Sequence, residues 1–381
     1  MGLLRTIFAL AVVFAHSPWN GGVLFVGPRN AVQLFYITSG FLISYVLTER
    51  GGYEKTATFY LSRWLRLYPI YLAVACLTSV TYLVANPLFF ELYRELPISA
   101  GIALIATNIL LFGQDLIMFS AVNGGDLAFT SDFRNSDFAL WNGLLVPQAW
   151  TLGVELSFYL IAPFVLRRRK ILLLLLAGSL LLRAVLLVNG VGRYDPWTYR
   201  FFPTELALFL LGSLSHQLLL PFYRRLLGEK LARASRIVTI GLAVFSMLYF
   251  VIPVGEPYKA PVLFSCFILF LPLTFVFQNQ YKFDRAIGDL SYPIYISHVL
   301  VIFVSGLLFK QLGIANELFL SMSYAVLSIV FAVVLNWTVG DRIESMRSKL
   351  KRRAVKQIGP LPEEVVGGLD IGPAQSFSRQ K

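Results

Sequence analysis

The chain has 381 residues, of which 57% are apolar and only 14% are charged, and its mean hydropathy is +0.68. A soluble domain usually carries about 25% charged and about 45–50% apolar residues, so this composition argues against a soluble enzyme, a disordered chain and a nucleic-acid-binding domain. The net charge of +12 would indicate nucleic acid in a soluble protein, but in a membrane protein it raises the question of where the positive residues lie. Cys76 and Cys266 fall inside apolar runs and form no disulfide framework or metal motif.

Apolar segments follow one another along almost the whole chain, and a membrane-spanning helix needs about 20 mostly apolar residues. The candidate segments are 3–25, 31–49, 68–85, 99–118, 148–166, 171–188, 204–220, 237–253, 261–278, 290–309 and 318–337. The connectors between them are too short for a soluble domain. The sequence therefore predicts an all-α polytopic membrane protein, with a transmembrane domain at 1–340 and a basic, flexible cytoplasmic tail at 341–381.

Lysine and arginine concentrate in four regions, which the positive-inside rule places in the cytoplasm. These regions are 50–67, 167–170, 221–236 and the tail after 341. The connector 119–147 carries one arginine against three aspartates, so it is predicted outside, as is 189–203. With both termini in the cytoplasm the number of crossings is even, and we expect about ten. One segment between 68 and 166 is then short or re-entrant, and 99–118 is the weakest candidate.

Ionisable side chains inside apolar segments are costly, so each is a candidate functional residue. In the first segment His16 follows Arg5 by eleven residues, which is about three helical turns and places both on one face. The rise of roughly 16 Å would put His16 about halfway across the hydrocarbon core. A neutral imidazole there can accept a proton from an alcohol, and a structural hydrogen bond explains it equally well. A signal peptide is an alternative for this segment, although the polar turn at 17–22 favours a retained helix.

Two arginines, Arg63 and Arg66, stand at the start of the third segment. They are three residues apart and therefore project from the same side of a helix. Two guanidinium groups in this geometry suit a phosphate or a pyrophosphate. The competing interpretation is an ordinary positive-inside anchor.

The segment that begins near residue 148 carries Thr151, Glu155 and Tyr159 at a spacing that puts them on one helix face. A carboxylate at this depth needs a partner, which we expect to be an arginine or a histidine from another helix. Glu155 could act as a general base, orient a histidine or hold helices together.

A late segment places Ser291, Tyr295 and His298 on one face in the same way. A structural polar contact and direct catalysis both fit His298.

Other polar residues carry weaker signals. Arg200 and Glu205 flank the start of a span and could form an ion pair, whereas Arg183 could extend its charge outward to the interface. His216, near the end of a span, is expected at a surface or an interface. The sequence shows no metal-ligand cluster, nucleotide-binding glycine motif or Gly-x-Ser-x-Gly elbow.

Motifs in this order resemble the acyltransferase-3 family of polytopic membrane acyltransferases, which O-acetylate surface polysaccharides in bacteria. Arg5 and His16 match the Arg-x10-His pair of its first helix, and Arg63-x-x-Arg66 followed by Tyr-Pro matches its basic pair. The remaining matches are Ser-Gly-Phe-Leu-Ile at 39–43, Trp-Thr-Leu-Gly-Val-Glu-Leu-Ser-Phe-Tyr at 150–159 and Ser-Tyr-x-x-Tyr-x-x-His at 291–298. The resemblance runs from about 3 to 337.

The sequence departs from the family pattern at two positions. Gln33 stands where many members carry an acidic residue, so no acid or base role is assigned to it, and Leu156 replaces a second acidic residue after Glu155. We also expect a stand-alone member, because no esterase-like domain follows the last span. The family's fold implies ten helices.

The resemblance implies acyl transfer from acyl-CoA, acetyl-CoA in the first instance, to a hydroxyl of a glycan or lipid-linked saccharide at the bacterial inner membrane. It implies that Arg63 and Arg66 bind the CoA phosphates, and that Arg5 on the same side holds a phosphate or lines the donor channel. His16 would be the general base or take the acyl group itself, and Glu155 would orient His16 or hold the acceptor. The expected substrate-binding residues are Thr151, Tyr159, Tyr295 and His298. The expected partners are the acceptor and membrane lipid, with no nucleic acid and no metal.

The alternative function is a transporter or flippase, in which His16 and Glu155 relay protons or bind the solute. That class predicts inverted repeats with broken helices at matching positions, and the sequence shows no such pairing. A structural membrane protein without catalysis is a third class, which the full set of ionisable residues disfavours.

Overall fold

Helices make up most of the described part of the chain. The computed structural model describes residues 1–358 except 20–23, 51–52, 54, 254 and 256–257, and only the backbone of 350–358. The helices are α1 (Gly2–Ala15), α2 (Pro28–Thr48), α3 (Thr56–Ala85), α4 (Leu88–Glu95), α5 (Ile98–Leu110), α6 (Gln114–Ile117), α7 (Trp150–Val165), α8 (Arg169–Val188), α9 (Phe202–Leu214), α10 (Leu220–Leu227), α11 (Leu231–Met247), α12 (Lys259–Gln280), α13 (Lys282–Gln311), α14 (Glu317–Leu335) and α15 (Asp341–Ile358). The three short strands are β1 (Ser120–Asn123), β2 (Asp126–Phe129) and β3 (Phe138–Ala139).

Seven helical stretches within the described residues are long and apolar enough to cross a membrane. One of them, Phe202–Met247, has 46 residues, more than twice what one crossing needs, and Gly228 interrupts it with a positive φ of 46°. Two further apolar helices, α1 and α5, are shorter. The prediction of an all-α polytopic membrane protein is confirmed, whereas the count of ten crossings and the orientation of the chain stay predictions.

The first helix ends earlier than the sequence predicted. The apolar segment 3–25 was expected to be one helix, but α1 stops at Ala15. Pro18 explains this stop, since a proline lacks an N–H group and restricts the residue before it to extended conformations. His16 therefore caps the end of the helix instead of lying within it, and its depth in the membrane stays a prediction.

The segment 99–118, which the sequence marked as the weakest span, forms a helix of only 13 residues, α5. Positive φ angles at Leu111 and Gly113 break the helix there. The connector that follows carries a small antiparallel sheet in the order β2-β1-β3, which the sequence interpretation did not include. The Trp197 indole N–H donates to the carbonyl of Ser131 at 3.0 Å, so the two connectors predicted to lie outside are in contact.

Two helix pairs that frame the site pack with backbone against backbone. A Cβ on Gly2 would lie 1.7 Å from the carbonyl oxygen of Asp284, and one on Gly40 would lie 1.9 Å from that of Phe209. Only glycine permits such an approach, as is common between membrane helices. These contacts fix α1 against α13 and α2 against α9.

The start of α1 is capped by a side chain from another helix. The Asp284 carboxylate of α13 accepts from the backbone N–H groups of Gly2 (2.7 Å) and Leu3 (2.8 Å). A carboxylate satisfies the unpaired N–H groups and the positive end of the helix dipole. It also sets the register of α13 along α1.

The first part of the predicted tail is helical. α15 covers Asp341–Ile358 and packs against α3. Residues 359–381 lie outside the described residues, and the flexibility of the tail stays a prediction.

Candidate active site

Five helices, α1, α2, α3, α7 and α13, enclose a cavity with about 750 Å³ of empty space, including its opening. Seven of the nine residues predicted for the site line it. These residues are Arg5, Arg63, Arg66, Thr151, Glu155, Tyr159 and Tyr295. The cavity therefore brings together motifs that are up to 290 residues apart in the sequence.

Three guanidinium groups meet in this cavity. Arg63 is 4% exposed and Arg5 is 8% exposed, and Arg66 stands one turn along α3 from Arg63. None of the three takes part in a salt bridge among the described residues, and the Nε of Arg63 has no hydrogen-bond partner there. Buried cations without carboxylate partners are costly, so this end of the cavity favours an anionic ligand. We call Arg5, Arg63 and Arg66 the arginine end.

Glu155 supplies the one carboxylate that lines the cavity among the residues the structure describes. It accepts hydrogen bonds from the Ser39 hydroxyl at 2.5 Å and from the Tyr159 hydroxyl. Its charge also acts on Arg5. Among the described residues it forms no hydrogen bond or ion pair with His16, because Ser39 on α2 and Tyr159 on α7 satisfy the carboxylate within the cavity. The expected action of Glu155 on His16 or on the acceptor stays a prediction.

Thr151 and Tyr295 are anchored to one backbone group. Both hydroxyls donate to the carbonyl of Gln148, at 3.1 Å and 3.2 Å. These bonds fix the two side chains at the wall of the cavity.

Among the polar residues of the cavity that the predicted site did not include, Ser39 and Tyr36 stand out. Ser39, which bonds Glu155, lies inside the Ser-Gly-Phe-Leu-Ile motif that the sequence analysis quoted. Tyr36 is 3% exposed, lines the cavity and has a hydroxyl without a partner among the described residues. Its spacing of three residues from Ser39 on an apolar helix was the available signal.

His16 and His298, which we call the histidine end, do not line the cavity. Their rings lie against each other with centroids 4.9 Å apart. His16 Nδ1 lies 2.8 Å from the carbonyl of Val12, and His298 Nδ1 lies 2.6 Å from that of Tyr295. Because a carbonyl oxygen only accepts, each Nδ1 donates, and in the neutral form of each ring Nε2 is the nitrogen with a lone pair.

The two histidines differ in access. His298 is fully buried, and its Nε2 has no hydrogen-bond partner among the described residues. His16 is exposed. The Tyr295 ring lies 6.0 Å from that of His298 and also lines the cavity, so Tyr295 stands between the cavity and the histidine end. His16 is thus the histidine whose Nε2 can reach a substrate.

The ion pair expected between Arg200 and Glu205 does not form. Arg200 pairs with Asp195 at 2.7 Å, and Glu205 pairs with Arg183 at 2.9 Å. The Gln33 side chain also donates to the Glu205 carboxylate at 2.9 Å. Gln33, which stands where many family members carry an acidic residue, therefore has a structural hydrogen bond. Arg183 lies on α8 and Glu205 on α9, and the packing of these two helices brings the pair together.

His216 is buried in a separate polar cluster. Its Nδ1 lies 3.1 Å from the Ser44 hydroxyl and its Nε2 lies 2.9 Å from Glu49 Oε1. The hydrogen bond with His216 lowers the pKa of Glu49, which follows the end of α2. This cluster ties α2 to the π-helical turn Ser215–Leu219, and it does not line the cavity.

A helical bundle with membrane-spanning segments around a cavity lined by arginines defines a multi-pass membrane protein. The family described as "Acyltransferase domain" matches residues 1–340, so the chain belongs to the acyltransferase-3 family. It is a multi-pass membrane acyltransferase. A protein of Aquifex aeolicus (strain VF5), described as uncharacterized, is 23% identical over 215 residues, which cover 54% of this chain and 91% of that protein. No solved structure matches the chain.

Proposed function

We propose that this membrane acyltransferase moves an acyl group, acetyl in the first instance, from acyl-CoA to a hydroxyl of a surface polysaccharide or another glycan. The observation that carries the proposal is the arginine end, where three guanidinium groups line a cavity whose one carboxylate is Glu155. Guanidinium groups bind phosphate oxygens in pairs of parallel hydrogen bonds. The nucleotide of CoA supplies such phosphates at one end of a long arm and the thioester at the other.

The two ends of α1 suit the two ends of such a donor. Arg5 and His16 are separated by eleven residues, a rise of roughly 16 Å. Arg5, Arg63 and Arg66 would hold the phosphates while the thioester extends towards Tyr295 and the histidine end. The acceptor would approach His16 from the opposite side, so the two substrates would meet within the bundle.

In the direct reaction, the acceptor hydroxyl oxygen attacks the thioester carbonyl carbon while His16 Nε2 takes the hydroxyl proton. The carbon–sulfur bond then breaks, and the proton returns to the CoA sulfur, which leaves as a thiol. Transfer through an acyl group on His16 would use the same atoms in two steps. Glu155, held by Ser39 and Tyr159, would position the donor arm. Thr151 and Tyr295 would shape the substrate path, and His298 would position His16.

This chemistry fits an orientation with both termini in the cytoplasm of a bacterial cell, since acyl-CoA is cytoplasmic and surface glycans are modified outside. The arginine end would then face the donor and the histidine end the acceptor. The positive charge in the loops supports this orientation.

The test is transfer of radiolabelled acetyl from acetyl-CoA by the purified protein in lipid nanodiscs, with glycans from a strain that lacks the gene as acceptor. We expect alkali-labile label on the glycan with the wild type and with Arg233→Ala, which changes an exposed arginine. The double variant Arg63→Ala, Arg66→Ala should lose it. A folded wild type that transfers nothing, together with unchanged acyl masses on the glycans of the deletion strain, would refute the proposal.

A further inference from the structure

A fourth arginine lies beside the arginine end, on a helix beyond the family match. The family match ends at residue 340, and α15 begins at Asp341. α15 packs against α3, the helix that carries Arg63 and Arg66. This brings Arg347 close enough that Arg66 and Arg63 are the strongest charges acting on it.

Arg347 is only partly satisfied within the protein. Its side chain is 12% exposed, and it pairs with Glu344, a residue of its own helix that is 66% exposed. The Nε of Arg347 has no hydrogen-bond partner among the described residues. Tyr53, 5% exposed, interacts electrostatically with both Arg347 and Arg63.

Placing Arg347 next to two further arginines is unfavourable unless an anion offsets the repulsion. An exposed pair with Glu344 contributes little, because such pairs are screened by solvent. A ligand with several phosphates would neutralise Arg63, Arg66 and Arg347 together. A single phosphate monoester carries a charge of only about −1.5 to −2, which is too little to offset three guanidinium groups.

We propose that Arg347 binds phosphate oxygens of the nucleotide end of the acyl donor, beside Arg63 and Arg66. The inference rests on the proposed function and names its donor class: an acyl thioester on a phosphorylated nucleotide, and not one on a carrier protein, whose pantetheine arm has one phosphate. α15 would thus place a binding residue beside the arginine end of a cavity that α1, α2, α3, α7 and α13 line.

Phosphate could also come from the headgroup of an anionic lipid, because a basic helix at a membrane surface attracts such lipids. The lipid composition of the nanodisc distinguishes the two sources. In phosphatidylcholine alone, an effect of Arg347 on donor binding belongs to the donor. An effect that needs phosphatidylglycerol belongs to the lipid.

The experiment measures equilibrium binding of CoA and of 4′-phosphopantetheine to the full chain in phosphatidylcholine nanodiscs. We expect Arg347→Gln to weaken CoA binding roughly tenfold and to leave 4′-phosphopantetheine binding almost unchanged. Arg347→Lys keeps the positive charge but not the planar guanidinium group, so its affinity for CoA should fall about threefold. It also serves if the glutamine variant does not fold. Arg342→Gln, an exposed position of the same helix, should bind CoA as the wild type does.

Equal CoA affinity in the wild type and both Arg347 variants would overturn the inference while leaving the proposed function intact. So would an equal loss for 4′-phosphopantetheine, or a loss seen only with phosphatidylglycerol. A wild type that binds no CoA in either lipid would refute the proposed function itself, and this inference with it.

Discussion

The arginine end and the histidine end lie at opposite ends of α1 and are built in different ways. At the arginine end, Arg5 meets Arg63 and Arg66 of α3 in a cavity, with Glu155 as the opposing charge. At the histidine end, the rings of His16 and His298 pack together outside the cavity. The first end collects charged groups, and the second pairs two imidazole rings. This difference underlies the proposed division of labour, in which one end would bind the donor and the other would perform proton transfer.

The level of the two histidines follows from the register of two helices. Asp284 of α13 caps Gly2 of α1, and both histidines come fourteen residues later in their own helices (16 − 2 and 298 − 284). Fourteen helical residues rise roughly 21 Å, and this rise is the same in α1 and α13. His298 therefore lies at the level of His16. One cap at the arginine end thus determines the geometry of the other end.

The largest effect expected is from loss of the proposed base. His16→Ala should lower the rate of acyl transfer by about 10²–10⁴-fold, the usual contribution of a general base. CoA binding should stay within about twofold, since the arginine end is unchanged. O-acetylation of the surface glycan in cells with matched protein levels, together with CoA binding by the purified variant, measures both. Normal acetylation in cells that carry His16→Ala would remove His16 from the chemistry.

A change at the arginine end should have the opposite signature. Arg63→Ala should raise the KM for acyl-CoA by about ten- to a hundredfold, because a charge-assisted hydrogen bond contributes about 1.5–3 kcal/mol. The kcat at saturating donor should fall much less, since His16 remains. Arg233→Ala is the matched surface control. If Arg63→Ala lowered kcat and left KM unchanged, the division of labour between the two ends would be wrong.

The sequence predicted the arginine end better than the histidine end, and the reason is physical. Charged side chains are costly in apolar helices, so the sequence alone marks Arg5, Arg63, Arg66 and Glu155 as candidates. Such side chains face the interior of a helical bundle or a cavity, which is where the structure places these four. The contact between His16 and His298 depends on the register of α1 against α13. A hydrogen bond 282 residues away in sequence, from Gly2 to Asp284, sets that register, and no local pattern reveals it.

The errors in helix length and pairing have similar causes. Hydropathy extended the first span past Pro18, because an apolar run continues on both sides of the turn. The sequence does not show whether Glu205 pairs with Arg183 or with Arg200. The packing of α8 against α9 places Arg183 next to Glu205, and Arg200 pairs with Asp195 instead. Hydropathy was enough for the overall class of fold, whereas helix ends and polar partners required the packed structure.

A moderate effect is expected from His298, which we treat as a positioning residue. His298→Gln should reduce kcat about tenfold without changing the KM for acyl-CoA, because the ring that supports His16 is lost. In the His16→Ala background, His298→Gln should lower kcat only slightly further, because the effects of coupled residues are not additive. Ser305→Ala on α13, whose hydroxyl bonds only its own helix among the described residues, is the control. Independent, multiplying losses would mean that the two histidines do not act together.

The smallest effect is expected where the two ends are linked, at the cap of α1. Asp284→Ala removes the acceptor for the N–H groups of Gly2 and Leu3, and should lower the free energy of unfolding by about 1 kcal/mol, as other lost helix caps do. Asp284→Asn keeps an acceptor oxygen, so its free energy of unfolding should fall less. Lys282→Ala, at the exposed start of the same helix, should leave the free energy of unfolding unchanged. Thermal unfolding in detergent measures all three. Because the cap sets the level of α13, Asp284→Ala should also reduce kcat more than it weakens CoA binding. An alanine variant that weakens CoA binding and leaves kcat intact would show that the cap serves the arginine end alone, and the register of α13 would then have another origin.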